Sequence, residues 1–108
     1  MASVSTYLNF AGTTEQAFLF YKSIFGGEFL EQGMQRFSDM PATEGQPPLP
    51  PETANLVMHV GLPILGGHVL YATDAPESMG FTVVHGNAVH LNLDIDSREE
   101  TERLFQAL

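Results

Sequence analysis

Tyr7, Asn9, His59, Tyr71, His90 and Asn92 are the side chains in this 108-residue chain best suited to hold or transform a small molecule. Imidazole exchanges protons near neutral pH and binds divalent metals, while phenol and carboxamide groups orient a polar ligand through directed hydrogen bonds. Their spacing groups them. A strand sends successive side chains to opposite faces, so in Tyr7-Leu8-Asn9-Phe10 the tyrosine and asparagine share one face and Leu8 and Phe10 the other. His90-Leu91-Asn92-Leu93 sorts the same way, with Leu91, Leu93 and Ile95 opposite His90 and Asn92. Val57, His59 and Gly61 alternate with Met58, Val60 and Leu62, which points His59 the way Tyr7 and Asn9 point. Two readings follow: the wall of a cavity, or the solvated face that a half-buried sheet normally gives to water. A strand histidine is also accounted for as a hydrogen-bonded structural residue. His68 and His85 lie beside glycines at turns and are expected to be exposed.

The elements that must position these residues occur twice. The strand at Tyr7 leads through a threonine-rich turn into a helix pattern over 15–25, and the strand at His90 leads through Asp96-Ser97 into a helix pattern over 98–108. With one residue of slack, Glu15 lies opposite Glu99, Phe20 opposite Leu104, Tyr21 opposite Phe105 and Ile24 opposite Leu108, which suggests duplication. In the first helix Thr13 and Gln16 form a capping box, Ala17, Phe20, Tyr21, Ile24 and Phe25 form one apolar stripe, and Gly26-Gly27 ends it. Strands are expected over 4–11, 28–37, 56–63 and 68–73, the last two joined by a hairpin at Leu65-Gly66-Gly67. Residues 39–55 hold five of the seven prolines and read as a lid, a partner contact, a disordered stretch or a simple connection. Residues 74–87 connect the units, with a short strand or apolar loop at 81–84. Ser97 and Glu100 cap the second helix, whose buried stripe is expected at Thr101, Leu104, Phe105 and Leu108. The chain thus reads as one α+β domain: a β-α-β-β-β unit over 1–75, a linker over 76–87 and the β-α start of a second unit over 88–108. Duplication implies three more strands, supplied by a longer chain or by another molecule.

Composition removes several classes of function. The chain carries 13 acidic and 4 basic residues, a net charge of −9, and its cations are scattered. Nucleic acids and anionic membranes need clustered positive charge, so neither is an expected partner. With no cysteine, disulfides and zinc–thiolate sites are excluded. The absence of a spanning apolar run or an evident secretory signal leaves a cytoplasmic location as the default expectation. The glycines match neither the dinucleotide turn nor the phosphate loop, which sets a methyltransferase reading aside. No serine sits in a nucleophile elbow, and no acid pair has a glycosidase setting.

The tandem β-α-β-β-β order resembles the vicinal oxygen chelate superfamily, which includes glyoxalase I, bleomycin-resistance proteins, fosfomycin-resistance enzymes and extradiol dioxygenases. Within it the chain is most similar to the PhnB-like branch. The likeness rests on Tyr7-Leu8-Asn9-Phe10, residues 17–21 with Phe25-Gly26-Gly27-Glu28-Phe29, Asp39-Met40-Pro41, Met58-His59-Val60 with Leu62-Pro63-Ile64, and the helix from Asp96-Ser97 to Leu104-Phe105. The resemblance implies sheets curled into half barrels with ligand inside and, in catalytic members, a divalent metal held from the first and last strands of each unit. Carried over, those positions fall on His90, on Tyr7 or Thr6, and on or beside Tyr71, with the fourth beyond the chain given. Neutral tyrosine is a poor ligand for the metals concerned. The expectation is therefore a binder of a small polar metabolite or drug-like molecule, lined by Tyr7, Asn9, His59, Tyr71, His90 and Asn92 and forming a homodimer. The alternative is a metal-dependent lyase, isomerase or dioxygenase with His90 as one ligand.

Overall fold

The computed structural model describes residues 2–30, 33–39, 45 and 50–108. Strand β1 (Thr6–Phe10) leads into helix α1 (Thr14–Phe25), followed by the two-residue strand β2 (Gln35–Arg36), the single-turn helix α2 (Pro51–Ala54), strands β3 (Val57–Pro63) and β4 (Val69–Asp74), and helix α3 (Arg98–Ala107). The architecture is α+β, with a four-stranded sheet in the order β1-β4-β3-β2. Strand β1 pairs in parallel with β4, while β3 is antiparallel to both β4 and β2. Because β1 and β2 lie at opposite edges, α1 must cross the sheet between them, and it covers one face.

That covered face is the core. Phe18, Val57, Val60, Leu62, Leu70 and Ala72 are at most 4% exposed, with Leu8, Phe10, Ala17, Tyr21, Phe29, Met34 and Ile64 packed against them. Val57, expected on the face of His59 and Gly61, joins this core at the start of β3, where the β2–β3 register shifts. Phe18 meets the rings of Phe10 and Tyr21 edge-on, at 6.4 and 5.7 Å between centroids. Its burial contributes roughly 1.5–3 kcal/mol. The helix is rotated from the expected stripe: Phe18 is wholly buried, whereas Phe20 is 47% exposed. The cause lies at the helix start. Thr13 makes no side-chain cap; instead Asp74, at the end of β4, caps the helix from outside. Asp74 Oδ1 accepts hydrogen bonds from Gly12 N (3.0 Å), Thr14 N (3.0 Å) and Thr14 Oγ1 (2.7 Å), and Oδ2 accepts one from Val57 N (2.9 Å). With Thr14 turned toward the sheet, Phe18, one turn later, lies on the same face and Phe20 on the far one.

Several expected elements differ. Among the described residues of 28–37 only β2 forms a strand, with Leu30 N donating to Gly61 O at 2.8 Å; residues 31 and 32 lie outside the described residues. So does most of the proline-rich stretch, except that 51–54 form α2 with proline where a helix tolerates it best, in its first turn. The hairpin forms as expected, with Gly66 and Gly67 at φ of 61° and 80°, which favour glycine. No strand forms at 81–84 or at 91–93 among the described residues, and Leu91 is half exposed. Helix α3 forms with Ser97 Oγ accepting from Glu100 N at 3.2 Å, but of its expected stripe only Leu104 is buried. Phe105 and Leu108 are 81% and 52% exposed, because no strand of the sheet lies beneath them. No described helix is long and apolar enough to cross a membrane.

Removing the Asp74 carboxylate strands four donors, those of Thr14 and Val57 among fully buried residues. Asp74→Ala is therefore expected to lower the unfolding free energy by roughly 3–5 kcal/mol in urea titrations, since each orphaned buried group costs about 1–3 kcal/mol. A loss below about 1 kcal/mol would refute the clamp. A second expectation concerns the exposed ion pair between Glu15 and Arg36 Nη2, at 2.8 Å. The hydrogen bond from Arg36, aided by its charge, holds the Glu15 carboxyl below the usual carboxylate range. A lowered folded-state pKa stabilises above the unfolded value and loses that stabilisation as pH falls through the folded one. Glu15→Gln is expected to cost under about 1 kcal/mol at neutral pH, less in high salt, and the difference from the parent should begin to shrink in acid unfolding series below the unfolded carboxylate value of about 4.3 and vanish only once the pH has passed the lower folded one.

Candidate functional site

Since α1 covers one face of the sheet, the residues that alternate with the core define the other. Register places Tyr7 of β1 opposite Tyr71 of β4, and Tyr71 opposite Gly61 of β3, so the three form a row across the sheet. His59 lies two residues before Gly61, hence on the same face, and pairs with Gln35 of β2. The three rings cluster. His59 and Tyr71 are 5.5 Å apart between centroids and inclined by 29°; Tyr7 lies 6.4 Å from each, inclined by 23° to Tyr71 and 38° to His59. His59 and Tyr71 are half buried and Tyr7 is 53% exposed.

Gly61 is what permits this packing. A Cβ there would stand 2.9 and 3.0 Å from Cε1 and Cδ1 of Tyr71 and 3.3 Å from Cδ1 of Leu30. The Tyr71 ring therefore lies across β3 in the space a side chain would occupy. Sequence reading treated Gly61 only as a step in the alternation. A glycine inside an otherwise apolar strand, the usual mark of close approach, was the available signal.

The other expected site residues fare differently. Asn9, paired with Thr73, is exposed and joins the Tyr7 face by alternation. His90 and Asn92 lie outside the sheet, in the segment that forms no strand. His90 is exposed, its Nε2 3.1 Å from Asn87 O, and no described ring contact joins it to Tyr7, His59 or Tyr71. Asn92 borders a cleft of about 310 Å³ with Ile64, Leu65, His68, Leu91 and Asp94. His68, expected to be exposed, is half buried and sits 2.8 Å from Thr6 Oγ1, tying the hairpin to the start of β1. Asp74, which sequence reading did not single out, is the buried polar residue that sets the framework; its place at the end of a predicted strand gave little warning.

The donor set does not fit a divalent metal: among the described residues, no three of His, Asp and Glu converge. The cluster offers one imidazole and two phenols, and the carboxylate of Asp74 already receives four hydrogen bonds on the helix side. What the arrangement can do is bind. Three rings on the sheet face that α1 leaves uncovered can receive a flat molecule, and no hydrogen bond among the described residues engages the phenol oxygens of Tyr7 and Tyr71 or the His59 nitrogens.

Comparison with solved structures follows the same outline. The chain aligns over its full length with protein PA1353 from Pseudomonas aeruginosa, at a TM-score of 0.78 and 29% identity, covering 72% of that chain. Over 99% of its length it also aligns with a PhnB protein from Bacillus cereus, named as a candidate 3-demethylubiquinone-9 3-methyltransferase, at a TM-score of 0.67 and 23% identity, covering 73% of that chain. It shares their fold. No family model matches the sequence, and no curated protein does.

Gly61→Ala is expected to push the Tyr71 ring off β3 while leaving the fold intact, because the clashing atoms belong to a side chain that can rotate. In NMR spectra the His59 ring protons, now shielded by Tyr71, should move by more than a few tenths of a ppm; unchanged shifts would contradict the packing described.

Proposed function

We propose that the chain is a PhnB-like member of the vicinal oxygen chelate superfamily that binds a small polar metabolite or drug-like molecule on the open face of its sheet, at Tyr7, His59 and Tyr71. One observation carries this reading: the three rings are gathered on the face opposite α1, with their polar atoms available to a ligand. Asn9 belongs to the same face. The shared fold with the Bacillus cereus PhnB protein supports the branch, while the methyltransferase name remains that protein's own. In the proposal the sheet forms half of a cavity, and a second copy of the chain supplies the rest. Exposed Leu91, Phe105 and Leu108 are apolar surface available to such a copy.

The metal-dependent alternative needs ligands to converge on His90. Among the described residues no group of three such ligands forms.

Ligand screening by thermal shift tests the binding reading. A hit is expected to raise Tm in the parent and to lose at least tenfold in affinity in Tyr71→Ala, because a ligand binding the folded state stabilises it by mass action. Hits that bind Tyr71→Ala unchanged would remove the site. Metal analysis of protein prepared without chelator, with and without His90→Ala, tests the alternative: near-stoichiometric metal lost in the variant would reinstate it.

A further inference from the structure

The charge on the ligand can be inferred from where the cations of the chain are engaged. There are only four lysine and arginine residues against 13 acids, and each cation has a carboxylate partner. Lys22 Nζ lies 3.5 Å from Glu28 and 5.5 Å from the centroid of the Phe29 ring. Arg36 binds Glu15 and donates from Nη1 to Asn55 O at 2.6 Å. Arg98 pairs with Glu102 at 3.3 Å. Arg103 pairs with Glu100 and donates from Nη1 to Ile24 O at 3.0 Å. These partners belong to the helices and the turns that flank them, not to the row formed by Tyr7, Tyr71 and Gly61.

An anionic ligand on the open face would therefore meet no lysine or arginine there and would enter the field of a chain in which acids outnumber those cations by nine. The groups that are present favour the opposite sign. The face of an aromatic ring carries the negative part of its quadrupole, and a cation within about 6 Å of a ring centroid is attracted by it. Tyr7, His59 and Tyr71 hold their rings within 6.4 Å of one another and within 38° of parallel, so one ligand ring can lie against more than one of them.

We propose that the Tyr7–His59–Tyr71 platform takes a small, flat organic cation, such as a protonated or quaternised nitrogen heterocycle. This rests on the binding reading above and adds the sign of the charge and the flatness of the ligand.

Three probes of one ring size separate the possibilities at pH 8: N-methylquinolinium, neutral quinoline and quinoline-4-carboxylate, titrated into the full chain by calorimetry with NMR mapping. The expected result is at least tenfold tighter binding of the cation than of the carboxylate, with shifts at positions 7, 59 and 71. Tyr71→Leu, which keeps apolar bulk but removes the ring, should weaken the cation at least fivefold. Tyr7→Leu, on the exposed edge strand, provides the same test where folding is least at risk. Equal or tighter binding of the carboxylate at the platform overturns the charge assignment and leaves the binding reading standing. Cation binding indifferent to both substitutions is attraction to the acidic surface alone and overturns the assignment. Failure of all three probes to shift positions 7, 59 and 71 overturns the inference and the platform together.

Discussion

One buried carboxylate joins the ends of three elements. Asp74 closes β4, and its two oxygens receive the Gly12 amide of the β1–α1 turn, the first amide and hydroxyl of α1 at Thr14, and the first amide of β3, so the parallel pair and the antiparallel pair are held at one corner. Ala75 N donates to Phe10 O at 2.6 Å beside it, extending the β1–β4 contact past the clamp. A carboxylate suits this place because it is all acceptor and the helix start and strand ends around it are all donor. An amide in its place would turn a donor toward one of the donors. The interaction also sets rotation: it turns Thr14 inward, Phe18 follows onto the sheet, and α1 claims one face. The other face, with Tyr7, His59 and Tyr71, is the one α1 leaves uncovered as a result.

Much of this was legible in the sequence because it depended on local rules. The bounds of α1 follow from its apolar spacing and the glycines after Phe25, and the β3–β4 hairpin from alternation around Leu65-Gly66-Gly67. The association of His59 with Tyr7 and Tyr71 follows from the period of two. What was not legible depended on distant partners. A capping box at Thr13 and Gln16 is a reasonable local prediction, but Thr13 makes no side-chain cap, and a carboxylate sixty residues away holds the neighbouring amides of Gly12 and Thr14 instead. The exchange of Phe20 for Phe18 in the core is the consequence, since a shift in azimuth leaves the spacing of the stripe unchanged. His68 was misjudged for the same reason: its neighbours in sequence are glycines, but its neighbour in space is Thr6.

The same geometry separates structural charge from the open face. Arg36 leaves β2 toward the helix side, where it reaches Glu15 at the start of α1 and the carbonyl that ends α2. Lys22 and Arg103 serve the other end of α1, through Glu28 and the carbonyl of Ile24. Cations near the C-terminal end of a helix interact favourably with its unsatisfied carbonyls, so Lys22 and Arg103 lie where the fold draws benefit from them. The face opposite α1 carries aromatic rings, which interact through contact area and quadrupole rather than through net charge.

Why the second strand–helix pattern yields a helix and no strand is a matter of hydrogen-bond accounting. A helix closes its backbone bonds within its own segment, so 98–107 can fold with a serine cap, one i,i+3 and one i,i+4 ion pair, buried Leu104 and the bond from Arg103 to Ile24 O. A strand has no such means, because every one of its amides and carbonyls must find a neighbour outside the segment. Residues 90–93 alternate as clearly as residues 7–10, but β1 has β4 beside it and 90–93 pair with nothing among the described residues. Alternation thus states which side chains would share a face once a strand forms, and pairing decides whether that face exists. Tyr7, His59 and Tyr71 have met that condition, and His90 and Asn92 meet it only when another strand edge lies alongside them.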